Sequence, residues 1–145
     1  MKTRMAEESE LSAWAIVDKM MDNDAFSKWL GIKVVTIEPG FAKISMTVEE
    51  VHSNGFKIAH GGIAYSLADS ALAFASNSRG QIAVSVSTHI NHLDRINIGD
   101  KLQAVSEEIH QGEKTATYRI IITNQDEVKV ASFEGTVYRT SKIWE

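Results

Sequence analysis

One stretch constrains this chain more than any other. From His60 it reads Gly61-Gly62-Ile-Ala-Tyr-Ser-Leu-Ala-Asp69-Ser-Ala-Leu-Ala-Phe-Ala-Ser-Asn-Ser78. Two glycines open a run with no further Gly or Pro that is rich in Ala and Leu, which predicts a helix of roughly five turns. Ile63, Leu67, Ala71 and Phe74, with Ala64, Ala68 and Ala75 beside them, repeat at three- and four-residue intervals. Such a stripe must pack against something. Asp69 falls off the stripe, at about 200° from Leu67 at 100° per residue, on a face shared with Tyr65 and Ala73. A carboxylate in so apolar a helix asks for a chemical reason.

What surrounds this helix is β-like. Ile32–Glu38 and Phe41–Val48 alternate with period two around a Pro39-Gly40 turn, predicting a hairpin. Val51–Ala59 has neither period and reads as a loop feeding the helix, which Gly80 ends. Ile82–Ile96 alternates, with Val84, Val86, Thr88, Ile90 and His92 on one side and Ser85, Ser87, His89, Asn91 and Leu93 on the other. Lys101–Ile109, Thr115–Thr123 and Val128–Tyr138 follow, separated by Asn- and Gly-bearing turns. Upstream, Ser9 is read as capping a helix to about Asp22, with Leu11, Trp14, Val17, Met20 and Met21 as its apolar face. Asp24 is read as capping a second, Ala25–Leu30, before Gly31. Trp14, Phe26 and Trp29 are expected to pack onto the main body.

One helix among six meandering strands, rather than alternating βαβ units, argues for α+β with an antiparallel sheet. At 145 residues, a single domain spanning 1–145 is expected, with 1–30 as a helical extension and 31–140 as the core. The long strand over residues 82–96 suggests association through a sheet edge. A net charge of -4 without like-charge blocks gives no nucleic-acid or anionic-membrane surface. The absence of cysteine removes disulfide and thiolate chemistry. The polar start, Met1–Glu10, lacks a signal peptide's apolar core, and no run approaches the about 20 apolar residues that span a bilayer. A cytoplasmic protein is expected.

These residues resemble a family. Asn54-Gly-Phe-Lys-Ile-Ala-His60-Gly61-Gly62, followed by Asp69 and by Asn77-Ser78, is similar to the hot-dog-fold acyl-CoA thioesterases, nearest to their PaaI-like, phenylacetate-degradation branch. Leu30-Gly31-Ile32, the Pro39-Gly40 turn and Gln111-Gly112 fit the same pattern, so the likeness runs from about Leu30 to Tyr138. It implies a six-stranded antiparallel sheet wrapped round the central helix. It also implies homodimers with interfacial sites, often paired into homotetramers. The implied reaction hydrolyses a (hydroxy)phenylacetyl-, other aryl- or medium-chain acyl-CoA to free acid and coenzyme A. No cofactor is implied beyond coenzyme A as part of the substrate. Asp69 would be general base or nucleophile, the Gly61 N–H would hold the thioester oxygen, and Asn54 would position water or the carbonyl. Ser85 would stand near the carboxylate. His60, Gly62, Tyr65 and Arg95 would contact substrate. The family's long strand often ends in an apolar-Arg-Pro segment; here it reads Leu93-Asp94-Arg95-Ile96, which shifts Arg95's coenzyme A phosphate role by one position.

The chemistry agrees on its own terms. A thioester carbonyl under attack gathers negative charge on oxygen, and a helix N-terminus offers unpaired N–H groups and a positive dipole end. Glycines there allow close approach. Asp69 lies eight residues on, about 12 Å at 1.5 Å per residue, too far to serve the same carbonyl within one chain. A second subunit must supply half of the site. His60 is read as orienting the turn rather than protonating a thiolate that leaves readily. His52, His89, His92 and His110 form no recognised ligand set, His89 and His92 pointing to opposite strand faces, so no metal site is expected. Judged alone, Asn54 reads equally as a turn residue, and Ser85 as a substrate contact or filler. Two alternatives stand beside the thioesterase: a hydroxyacyl dehydratase, whose loop histidine paired with a helix carboxylate is not reproduced here, and a non-catalytic acyl-CoA sensor, which would not need Asp69.

Overall fold

The computed structural model describes residues 8–145; the start of the polar N-terminal segment, residues 1–7, lies outside the described residues. The central helix, α3 (Gly61–Asn77), buries Leu67, Ala68, Ala71 and Phe74 completely. Their small and branched side chains let a sheet close tightly around it. That sheet has six antiparallel strands: β1 (Lys33–Glu38), β2 (Phe41–Thr47), β3 (Gln81–His92), β4 (Lys101–Gln111), β5 (Thr115–Thr123) and β6 (Lys129–Ile143). Their order is β1-β2-β4-β5-β6-β3, which leaves β3 on an edge. This is the α+β wrap that the period change predicts.

Closure around α3 is tight at Gly135 on β6, where a Cβ would lie 2.6 Å from Leu72 Cδ2 and 3.0 Å from the Phe133 ring. At the helix's C-terminal end two buried polar side chains tie the fold together. Asn77 Nδ2 donates to Ala73 O and Ala83 O, while its Oδ1 accepts from Ala83 N and from the Trp144 indole. Ser78 Oγ accepts from Gly40 N and donates to Ala75 O. Helix, β1–β2 turn, β3 and C-terminus are thereby pinned at one point.

Three expectations change. Ser12, not Ser9, caps α1 (Ala13–Asp22), accepting from Ala15 N, and Ser9 Oγ instead donates to Trp144 O. The residues that pack α1 inward follow a 13, 16, 17, 20, 21 stripe built on fully buried Ile16 and Val17. Trp14 sits one position off that stripe and is 42% exposed. In α2 (Ala25–Leu30), capped by Asp24 and stopped by left-handed Gly31 as expected, Ser27 and Leu30 face inward. Phe26 and Trp29, one position before each, lie outside and stack on one another. Trp29 still meets the main body, its ring edge-on to that of His52 at 5.1 Å, whereas Trp14 and Phe26 are not the inward anchors that the sequence suggested.

The third change is register. β3 and β6 pair Ser85 with Val137 and Ser87 with Thr136, so Val86 is an extra residue in a β-bulge. One inserted residue reverses the facing of everything before it. Ser85 therefore shares the inner face with Thr88, Ile90 and His92 instead of opposing them. β3 also ends at His92, not Ile96, after which Leu93 N and Asp94 N both donate to Val130 O. β6 starts within one residue of the expected Val128 but runs on past Tyr138 to Ile143, through a tail that is largely polar and carries no apolar alternation.

Candidate active site

α3 leaves the β2–α3 loop through His60. The loop is held by a 3-10 turn at Glu50–His52, by a Ser53–Ala59 bridge and by Ala59 N donating to Ile96 O. His60 is the N-cap residue: its Nδ1 accepts from Gly62 N at 2.8 Å, so the ring's other nitrogen carries the proton. That bond uses up the Gly62 donor. The Gly61 N–H takes no partner among the described residues, which leaves it as the open donor at the positive end of the helix. Glycine at 62 leaves room for the capping ring, since a Cβ there would lie 3.0 Å from His60 Nδ1. Beside Gly61 stands His92 from β3, its ring 3.6 Å from where a Cβ would be.

Asn54 lies in the loop as a turn residue: its Oδ1 accepts from Phe56 N at 2.9 Å and Ile58 N at 3.4 Å. The amide nitrogen is uncommitted among the described residues. Arg95 is exposed, on the segment that runs beside Ala59. Asn54, His60, Gly61, Gly62 and Arg95 thus fall at one end of α3.

Asp69 and Ser85 fall at the other. Both line a cleft of about 310 Å³ whose remaining walls include Met20, Leu72, Val137 and Trp144. Asp69 is half-buried, and no hydrogen bond or ion pair to its carboxylate occurs among the described residues. Burial first, then the negative charge of Asp24, hold it above the usual carboxylate range. A solvated or salt-bridged helix aspartate would show neither feature. Between the two ends, Tyr65 donates or accepts a 2.8 Å bond with Thr88 Oγ1 and packs edge-on against Phe133.

These contacts show α3 and β3 running antiparallel, with Gly61 beside His92, Tyr65 beside Thr88, and Asp69 in one cleft with Ser85. The single chain does not bring Gly61 and Asp69 together: eight helical residues separate them by about 12 Å. His92 is the neighbour that the sequence did not single out, because its place over Gly61 depends on the strand register. Among the described residues no cluster of three or more His, Asp or Glu could hold a metal. A larger concavity of about 1000 Å³ beside Trp29, Ser45 and Gln103 is lined by none of the candidate site residues.

The chain's likenesses converge. A thioesterase superfamily model matches residues 56–131. The acyl-coenzyme A thioesterase PaaI of Escherichia coli is 42% identical over 127 residues, covering 88% of this chain and 91% of that one. The solved structure of the E. coli PaaI protein, from the phenylacetic acid degradation operon, superposes with a TM-score of 0.88 at 40% identity, covering 90% and 95% of the two chains. A hypothetical thioesterase from Streptococcus pneumoniae, solved with coenzyme A, superposes with a TM-score of 0.81 at 26% identity over 87% and 98%.

Proposed function

Because the chain belongs to the thioesterase superfamily and is an enzyme hydrolysing acyl-CoA thioesters, we propose that Asp69 is its catalytic carboxylate and that each active site is completed by a second copy of the chain. The observation that carries this reading is Asp69 itself: a carboxylate without a hydrogen-bond or ion-pair partner among the described residues, in a largely apolar cleft, about two helix turns from the open Gly61 donor.

Antiparallel pairing of two β3 edges resolves the separation. β3 carries Ser85 toward one end and His92 toward the other, with Asp69 and Gly61 beside them respectively. A two-fold pair of such strands sets the Asp69–Ser85 end of one chain against the Gly61–His92 end of the other, twice. The thioester oxygen would then accept from Gly61 N–H while Asp69 attacks the carbonyl carbon directly or removes a proton from the attacking water. Charge gathers on the oxygen at the helix's positive end. Collapse of the tetrahedral adduct breaks the C–S bond and releases coenzyme A as a thiolate, which needs little help to leave. In the direct route a water then hydrolyses the acyl-aspartate. Asn54 would position the water or carbonyl with its free amide, and Ser85 would hydrogen-bond near the carboxylate. His60 would keep the turn in shape, with Gly62 admitting the substrate close to the backbone. Tyr65 would line the acyl site and Arg95 would meet coenzyme A phosphates.

The relative from a phenylacetic acid degradation operon favours a phenylacetyl or hydroxyphenylacetyl group over other aryl and medium-chain acyl groups. Coenzyme A enters as part of the substrate, and the reaction as written calls for no separate cofactor. The reading has residues 1–145 acting as one domain in a homodimer that pairs into a tetramer in the cytoplasm. No helix among the described residues is long and apolar enough to cross a membrane.

The test is steady-state thiol release from phenylacetyl-, hydroxyphenylacetyl-, benzoyl- and straight-chain acyl-CoAs, with Asp69→Asn beside the parent. Loss of a positioned acid-base group costs about 10²–10⁴-fold in kcat. A parent that binds these esters without turnover would instead make the chain a sensor.

A further inference from the structure

Of the N-terminal helices only Met20 on α1 has so far entered the site, as part of the cleft wall, yet a charged side chain of α2's cap also bears on it. Asp24 caps α2: its Oδ1 accepts from Ser27 N at 2.9 Å and its Oδ2 from Ser27 Oγ at 2.6 Å. With its proton given to Asp24, the Ser27 hydroxyl can only accept from Ser70 Oγ, 2.8 Å away. Ser27 is buried, and Ser70 is the residue after Asp69 on α3. A chain of three side chains, Ser70 to Ser27 to Asp24, thus fastens the α2 cap to the turn of α3 that carries Asp69. No lysine or arginine pairs with Asp24 among the described residues, so no ion pair neutralises its charge.

We propose that Asp24 is a positioning residue for the hydrolysis: it fixes a second negative charge beside Asp69 and makes the N-terminal helical extension part of the catalytic apparatus. The inference rests on Asp69 being the reacting carboxylate. Like charges held close disfavour joint ionisation, and a base is most effective when its pKa approaches the working pH. After burial, Asp24 is the group that raises Asp69, and nothing else around the cleft competes with it. α1 contributes Met20, β3 contributes Val84 and Ser85, β6 contributes Val137 and the C-terminal segment contributes Trp144, none of them titratable at neutral pH. His60 and His92 stand at the opposite end of α3 and approach Asp69 only in the two-fold pair, where replacing Asp24 leaves both unchanged.

Asparagine and serine are as good N-caps as aspartate, so neutral replacements separate the charge from the cap. The experiment is the pH dependence of kcat/KM on one phenylacetyl- or acyl-CoA substrate for the parent, Asp24→Asn, Asp24→Ser and Asp69→Asn. Folding is checked by circular dichroism. The base must be ionised to work, so removing Asp24 is expected to move the acid limb to lower pH in both cap variants. KM is expected to stay unchanged, and the displacement from the parent to narrow as salt rises, because the effect acts through space. An acid limb that stays in place in both folded Asp24 variants, with Asp69→Asn inactive, overturns this inference and leaves the Asp69 reading standing. If Asp69→Asn turns over like the parent, the Asp69 reading fails and the inference falls with it.

Discussion

Asp69 carries its charge at a cost to the fold, and that cost can be measured apart from catalysis. Burial and Asp24 raise its pKa in the native state above the unfolded value. Ionisation is therefore disfavoured by folding: the penalty is complete above the native pKa and vanishes below the unfolded one, where the group is protonated in both states. Asp69→Asn is expected to raise the Tm at about pH 8 while abolishing turnover, with the gain shrinking toward about pH 4. Thermal melts across that range check it, and a variant melting no higher than the parent at the alkaline end would contradict the assignment. Glu108 has the opposite sign. Burial pushes its pKa up, but the Arg79 fork at 2.7 and 2.8 Å, the Tyr118 hydroxyl and the nearby arginine charges outweigh that and leave it lowered. Its stabilisation is present above the unfolded value of 4.5 and is lost as pH falls through the native one. Glu108→Gln should cost roughly 1 kcal/mol at neutral pH. The Tm difference from the parent should close in acid, and a gap that persists there would assign Glu108 a packing role instead.

At the scale of elements, the contact between α3 and β6 has been made close by glycine. Gly135 has ordinary strand dihedrals, so its place is dictated by Leu72 and Phe133 and not by backbone freedom. Gly135→Ala is expected to cost about 1–3 kcal/mol by overpacking. In the Leu72→Ala background, which itself costs about 2–5 kcal/mol, the added methyl should cost far less. Denaturant melts of the two single variants and the double close the cycle, and simple additivity would mean that the helix and strand do not press on each other there. The same contact shows what a sequence can carry. The α3 stripe and the alternation of six strands are local patterns, visible one element at a time, and they suffice for the α+β wrap. The bulge at Val86 is not local: it exists because β6 pairs on both sides of it, so Ser85 could be named a site residue while its facing was read backwards. α1 failed differently. Trp14 is the bulkiest residue on that helix and drew the apolar face toward itself, yet Ile16 and Val17 fill the available space. The spacing of Asn54, His60, Gly61 and Asp69 is visible in the sequence; the nearness of His92 to Gly61 and of Asp24 to α3 is not, since a fold that brings distant segments together creates both.

For the whole molecule, the decisive feature is an edge left open. β3 is a 12-residue edge strand without a lysine, glutamate or proline, and Val84 and Val86 are 53% and 62% exposed on it. Long, uncharged, apolar edges are what proteins ordinarily blunt to avoid pairing. One that is kept is suited to pairing, and the proposed isologous antiparallel pair would satisfy its free N–H and C=O groups while completing two sites at once. Stability and activity should then be lost together when the edge is spoiled. Val86→Lys places a charge at the bulge without touching α3, Gly61 or Asp69. It is expected to give a chain of monomer mass by analytical ultracentrifugation, with native circular dichroism and thiol release reduced at least as far as in Asp69→Asn. Parent activity per chain should also fall on dilution through the dissociation range. The sharpest check mixes two inactive proteins, Asp69→Asn and a variant whose Gly61 end is blocked by Gly61→Val, under conditions of subunit exchange. A heterodimer of the two has one site with both defects and one with neither, so at equal concentrations about half of the dimers are mixed and have one working site per pair, about a quarter of all sites. Activity that stays absent after exchange would show that Gly61 and Asp69 do not meet across a two-fold axis.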